Sequence, residues 1–195
     1  MFDLSGGRLA LDFANTRSRM SGEHLPDYGA LVDFAAQSGQ LDEAAAGRLL
    51  GLAEADTAAA AAVLARARVL RDAVFDLVAA AVRSEPAAPS AVDALNAELG
   101  RALAHALVRP DADGYAWDWD DAVTLDRPLW AVARDAADLL ADRDLLARVR
   151  LCAADDCDWL FVHDSTNRSR RWCDMRVCGN RAKARRFHMR RRALA

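Results

Sequence analysis

The sequence predicts a mainly α fold: a helical domain with a small β-sheet or hairpin, then a small unit built from a β-hairpin and a C-terminal helix. Three observations predict it. Val63, Ala67, Leu70, Val74, Leu77 and Ala81 recur at three- and four-residue steps, the signature of a helix with one buried stripe. Tyr115, Trp117 and Trp119 alternate with small or acidic residues just after the turn-forming stretch 110–114, which reads as a hairpin. The only four cysteines, Cys152, Cys157, Cys173 and Cys178, lie within the last 44 residues at the spacing C-x4-C-x15-C-x4-C. Residues 1–150 are therefore read as the helical domain and residues 151–195 as the cysteine-bearing unit.

Along the chain, Leu9, Leu11 and Phe13 at period two predict a short strand over 8–14, and the polar stretch 15–26 a loop. Asp27 is placed to cap a helix that Gly39 stops, and Asp42 to start another through Leu49, Leu50 and Leu52. The long helix spans roughly 57–83 and ends in a proline-containing stretch. Ser90 with Asp93 resembles a capping box for the next helix, which holds Leu95, Leu99 and Leu103. Asp126 and Pro128 open a further helix, and a short one at 143–150 leads to Cys152. Trp117, Trp119 and Trp130 read as core.

At 195 residues the chain can bury one good core and a small appendage. No apolar run approaches the ~20 residues of a membrane span, and the start lacks the basic flank of a secretion signal. The chain reads as cytoplasmic, where clustered thiols favour metal over disulfide. Its net charge of −3 hides an asymmetry. Residues 165–195 hold eleven basic residues against Asp174, so that segment is +10 and residues 1–164 carry −13. Such a tail is a common footprint of polyanion binding. Lys183 is the only lysine, so the use of arginine reflects composition; the clustering is what carries information.

Two short cysteine pairs separated by a hairpin-sized gap suit one tetrahedral ion, each pair giving two thiolates from one turn. Four thiolates close the shell, so a zinc ion held there is structural. An iron–sulfur cluster, a redox dithiol pair and unbound core cysteines are the competing readings, and His163 and His188 are possible substitute ligands. Trp159-Leu160-Phe161-Val162 reads as one strand, Asp164-Ser165-Thr166-Asn167 as a turn and Arg170-Arg171-Trp172 as the partner strand. Gly179 is placed for a positive φ, and Asn180 to cap a helix through Leu194.

The segments Cys157-Asp158-Trp159-Leu160-Phe161, Asp164-Ser165-Thr166-Asn167-Arg168, Arg170-Arg171-Trp172-Cys173-Asp174-Met175 and Cys178-Gly179-Asn180-Arg181-Ala182-Lys183 together resemble the CGNR zinc finger. Leu11-Asp12-Phe13-Ala14-Asn15-Thr16 looks like the start of the ABATE domain that usually precedes it. The resemblance implies a bacterial stress-related transcription regulator whose finger binds nucleic acid in a zinc-dependent way.

The function expected from these readings is DNA binding through one structural zinc ion, held by Cys152, Cys157, Cys173 and Cys178, and through basic residues. The nucleic-acid candidates are Arg168, Arg170, Arg171, Arg176, Arg181, Lys183, Arg185, Arg186 and Arg190, with double-stranded DNA as the partner and phosphates as the first contacts. The helical domain would sense a small-molecule effector or form a homodimer, and Asp12, Asn15 and Thr16 are the candidate ligand residues. The alternative is a zinc-stabilised interaction module whose basic helix docks on an acidic protein surface. No enzyme is expected: there is no glycine-rich phosphate loop, no Ser-His-Asp arrangement, and only His24 and His105 precede the finger.

Overall fold

The computed structural model describes residues 1–20, 22–163 and 170–193, with backbone alone for 186–188 and 190–193. The architecture is mainly helical with small two-stranded antiparallel sheets. Helix α1 spans Leu9–Ala14, where the sequence predicts a strand. Alternation misleads here because Ala10, Leu11, Asp12, Phe13 and Ala14 are all buried, so no solvent face distinguishes period two from a helical period. The polar stretch after it contains a minimal ladder, β1 (Arg17–Ser18) with β2 (Gly22–Glu23), rather than only loop.

Helices α2 (Tyr28–Gln37), α3 (Glu43–Ala55) and α4 (Thr57–Arg83) each begin at an aspartate. The carboxylates of Asp27, Asp42 and Asp56 accept the backbone N–H of Ala30, Ala45 and Ala59 at 2.7–2.9 Å, so each meets one otherwise unpaired donor. Helix α4 turns its apolar stripe inward, ends with Ser84 in the left-handed region at φ 57°, and packs against α1, α2 and α5 (Pro89–Leu103). The capping box expected at Ser90 is not used: α5 starts one residue earlier, at Pro89, whose missing N–H suits a first-turn position. Helix α6 (Arg127–Ala141) buries Leu129, Trp130, Val132, Ala136 and Leu139, and the short α7 (Arg143–Leu146) follows.

Two acids on other elements serve groups that the local sequence leaves unsatisfied. Asp135 of α6 accepts the Ala10 N–H at 2.8 Å and pairs with Arg8, so the start of α1 is capped across the bundle. Arg71, 2% exposed, is held by Glu23 at 2.6 Å and by Asp72 at 3.1 Å. A charge that deep requires such partners.

The predicted hairpin comprises β3 (Ala106–Asp111) and β4 (Gly114–Trp119), with Val108 opposite Trp117 and Pro110 opposite Tyr115. Its base joins the core, where Trp119 packs 5.7 Å from the buried Trp130. Its outer part does not. Trp117 is 58% exposed, capped on one face by the Arg134 guanidinium at 4.1 Å, so it is not core as the sequence suggests.

The last sheet departs most from expectation. Strand β6 (Leu160–Val162) pairs antiparallel with β5 (Val149–Leu151), not with residues 170–172. The turn expected at Asp164-Ser165-Thr166-Asn167 lies outside the described residues. The other edge of β6 is met by α1 and the N-terminal segment. The Asn15 amide donates to Leu160 O and accepts Leu160 N–H, both at 2.9 Å, and Val162 N–H donates to Gly6 O at 2.8 Å. Gly6 N–H in turn donates to Asp12 Oδ1 at 2.7 Å; a Cβ on Gly6 would stand 2.8 Å from that same oxygen, so the approach requires glycine. Among the described residues, no helix is long and apolar enough to cross a membrane.

Two stability effects are expected. Asn15→Ala strands both backbone groups of Leu160 in a buried site and should cost about 2–4 kcal/mol in urea unfolding. Burial, and then repulsion by Asp3 and Asp135, raise the Asp12 carboxyl to about 6 against the Gly6 hydrogen bond, so the fold holds this proton more tightly than the unfolded chain. Stability from this group therefore falls as pH rises from about 4 through about 6. Asp12→Asn, which can still accept from Gly6, should be more stable than the parent by roughly 2 kcal/mol at pH 7 and show a flatter difference below pH 4.

Candidate metal centre

The first cysteine pair sits in a turn at the end of β5. Cys152 N–H donates to Trp159 O at 2.9 Å and Cys157 N–H to Ala154 O at 3.0 Å, which folds both side chains to the same side. The second pair is brought round by Ala153 N–H donating to Arg171 O at 2.9 Å, and Cys173 N–H points at the Cys152 sulfur from 3.5 Å. Cys178 lies in a five-residue π-helical turn, Met175–Gly179, that leads into α8 (Asn180–Ala193). Four intervening residues need a wider turn than the common two, and the π turn provides it, closed by Gly179 N–H to Asp174 O at 3.1 Å.

This geometry revises two expectations. The helix is capped by the Asp174 carboxylate, which accepts from Arg176 N–H and Val177 N–H; Asn180 is already inside it and bonds back to Arg176 O at 3.0 Å. Gly179 is not among the glycines with positive φ; a Cβ there would instead run into the Met175 thioether.

All four sulfurs lie within 4.8 Å of one another, with Cys157–Cys173 at 3.7 Å and Cys173–Cys178 at 3.6 Å. Bonds of about 2.3 Å to a tetrahedral zinc put sulfurs about 3.8 Å apart, so the donor set fits one zinc ion. The separations are far beyond a disulfide bond of about 2.05 Å, and they leave no room for a multi-iron cluster. The cysteines are 0–8% exposed, so the shell is closed and the ion structural. His163 is buried elsewhere and is no member of the group, while the His188 side chain lies outside the described residues.

Cys152, Cys157 and Cys173 compete for protons. Hydrogen bonds from Cys157 and then Cys173 hold the Cys152 thiol at about 2. The same contact with Cys152 pushes Cys157 up to about 12 and drives Cys173 far above the ordinary thiol range. A divalent cation resolves this conflict by stabilising every thiolate at once. The resulting shell is formally −2, and Arg181 offsets it from 3.4 Å at the Cys178 sulfur.

A second hydrophobic cluster surrounds the sulfurs: Ala154, Trp159 and Phe161 with the half-buried Trp172. Arg170 closes it from above, its guanidinium 4.5 Å over Phe161 and donating to the carbonyls of Trp172 (3.1 Å), Ser5 (3.3 Å) and Cys173. Arg171 lies against Trp172 at 5.6 Å.

The predicted nucleic-acid residues thus separate by environment. Arg170 braces the finger and ties it to the N-terminal segment at Ser5. Arg181 and Arg185 pair with Asp156 at 3.2 and 2.8 Å, and Arg185 also reaches Asp155 at 3.6 Å. Arg176 is 91% exposed at its side chain, 3.7 Å from Asp174, and Lys183 is exposed. Arg168 and the side chains of Arg186 and Arg190 lie outside the described residues. Sequence reading missed Asp155 and Asp156, although their position beside Cys157 and the i,i+4 spacing of Arg181 and Arg185 were available to it. Asp12, Asn15 and Thr16 come together as buried pins: Asp12 and Asn15 bond as described, and Thr16 Oγ donates to Phe13 O at 2.7 Å.

Two family models match the chain. Residues 7–143 match the one described as "ABATE: Putative stress-induced transcription regulator", which covers well over half of the chain. Residues 148–191 match the one described as the CGNR zinc finger. No curated protein matches the chain.

Purified protein should carry one zinc per chain by elemental analysis. Cys173→Ser or Cys178→Ser should release it, as should strong chelation. In each case the near-UV signal of Trp159 and Trp172 should be lost while most far-UV helical signal remains, because the larger core contains none of the four cysteines.

Proposed function

The chain belongs to the ABATE family and carries a CGNR zinc finger, and from that premise we propose a zinc-dependent regulator that binds double-stranded DNA through the finger and α8 while the helical domain senses a small effector. The observation that supports this most is the charge of α8. It holds seven basic residues and no acid, and it leaves directly from the turn that contains Cys178. Two of the seven, Arg181 and Arg185, are committed to Asp155 and Asp156, which fastens the first turn of the helix to the metal knuckle. Lys183 stays exposed, as does Arg176 on the approach. A cationic helix on a rigid mount suits phosphate contact, with zinc acting as scaffold and the cations as the binding groups.

The alternative, a module docking on an acidic protein surface, takes support from those same Asp155 and Asp156 pairs. Both aspartates lie within the finger itself, so these pairs brace α8 against the metal knuckle and not against the helical domain. The reading assigns no catalytic step.

Zinc-loaded protein should bind duplex DNA with a log–log salt slope of about −0.9 per phosphate contacted. Arg176→Glu and Lys183→Glu should each weaken binding and reduce the slope by about 1, with zinc content unchanged. Cys173→Ser should lose binding together with the metal. A zinc-loaded protein that shifts no duplex at about 50 mM salt would rule out the DNA reading in favour of the docking one.

A further inference from the structure

Strands β3 and β4 form a sheet with no third strand among the described residues, so each has a free edge. The ladder fixes which backbone groups face outward. Asp120 N–H donates to His105 O at 2.9 Å, and bonded pairs recur at every second position, so Leu107 with Asp118 and Arg109 with Ala116 are bonded pairs too. Val108 with Trp117 and Pro110 with Tyr115 fall between them, and their backbone groups point away from the hairpin. Two observations agree with this phase. Pro110 has no N–H to give its partner, and Trp119 N–H, an outward donor on β4, is taken by the Asp118 carboxylate at 2.8 Å.

The two edges differ. On β3 an outward position is a proline, which keeps an edge from pairing. On β4 the outward N–H and C=O of Tyr115 and Trp117 bond to no other described residue. Tyr115 is 78% exposed, Trp117 58% and Val108 59%, and all three stand on one face of the ribbon. An open edge with an aromatic face is a template for another strand.

We propose that the strand it takes is β4 of a second copy, paired antiparallel about a two-fold axis at Ala116 to give a four-stranded sheet. Tyr115 then exchanges both backbone bonds with the partner's Trp117, and Trp117 with the partner's Tyr115, so each outward group of the two residues is met. An axis at Trp117 would instead need Trp119 N–H, which Asp118 already holds. The same register sets Tyr115 beside the partner's Trp117, a favourable cross-strand pair. Charge agrees with it. Asp118 is neutralised by Arg109 at 2.6 Å and comes opposite the partner's Gly114, not another acid. The acidic tip at Asp111 and Asp113 runs toward the base of the other hairpin, where Arg127 and Arg134 stand against Trp130 and Trp117.

The area sets the strength. At about 150–250 Å² per aromatic side chain, the exposed parts of Tyr115, Trp117 and Val108 come to roughly 300–400 Å² per copy. The pair therefore buries about 600–800 Å² before backbone is counted, the low end for a specific interface, which makes the dimer weak and exchanging. The inference stands apart from the DNA reading, because the hairpin belongs to the helical domain and the finger takes no part in it.

Sedimentation equilibrium on the zinc-loaded full chain tests this, with a monomer–dimer Kd of about 1–100 µM expected. Tyr115→Lys and Trp117→Lys should each weaken the dimer at least about tenfold. Leu107→Lys, at a 40% exposed residue on the opposite face of the ribbon, should leave it within about twofold. Cross-linking tests the register. Under mild oxidation Ala116→Cys should link two copies, because residues on the axis stand about 4.5 Å apart at Cα, whereas Ala112→Cys at the hairpin tip should not. The parent chain, zinc bound, gives the background from its own cysteines. Thermal melting establishes that the lysine variants are folded; should they fail, the Ala116→Cys result decides. A chain that stays monomeric up to about 500 µM, a dimer that survives Tyr115→Lys, or Ala116→Cys linking no faster than Ala112→Cys would overturn the proposal.

Discussion

Everything in this molecule hangs on the alternation of three residues in β6. Leu160 and Val162 point into the helical core, while Phe161 points into the cluster around the sulfurs. Side chains on a strand alternate faces, so a slip of one residue would bury Phe161 among the helices and leave the metal cluster without its floor. The register is held on both edges, by β5 on one side and by Asn15 and Gly6 on the other. Asn15 pairs with the backbone of Leu160 as a neighbouring strand would, although it belongs to the end of a helix.

This arrangement explains why buried polar residues concentrate at the front of the chain. Asp12, Asn15 and Thr16 sit where α1, the N-terminal segment and β6 meet; Asn15 satisfies the backbone of β6, Asp12 the Gly6 N–H, and Thr16 a carbonyl at the end of α1. The arrangement keeps Asp12 in a place that favours its neutral form. A carboxylate held there is a cost to the fold, because burial disfavours its charged form.

The metal centre has a different logic. The sulfur cluster has too little apolar surface to hold itself together: among the described residues it buries Ala154, Trp159, Phe161 and part of Trp172 besides cysteine. Zinc supplies the missing folding energy, and the arginines around the shell divide according to how close they stand to it. Arg170 and Arg181 are used up in bracing the cluster and offsetting its charge. Lys183 of α8 and Arg176 ahead of it stay exposed.

Local chemistry was legible from the chain alone. The aspartate caps of α2 and α3, the extent of α4, the hairpin after residue 110 and the convergence of four cysteines all rest on spacing and on residues acting within a few positions of themselves. What only the tertiary structure decided was anything set by a distant partner. Alternation at Leu9, Leu11 and Phe13 could not signal a helix, because burial on every side erased its period, and the cap of α1 comes from Asp135 on another helix. The partner of β6 could not be read either, because a three-residue strand pairs with whichever edge packing presents, here β5. The roles of Arg170, Arg181 and Arg185 followed the same rule: sequence shows a run of positive charge, and only folding decides which charges meet a carbonyl, a sulfur or an aspartate before any partner arrives.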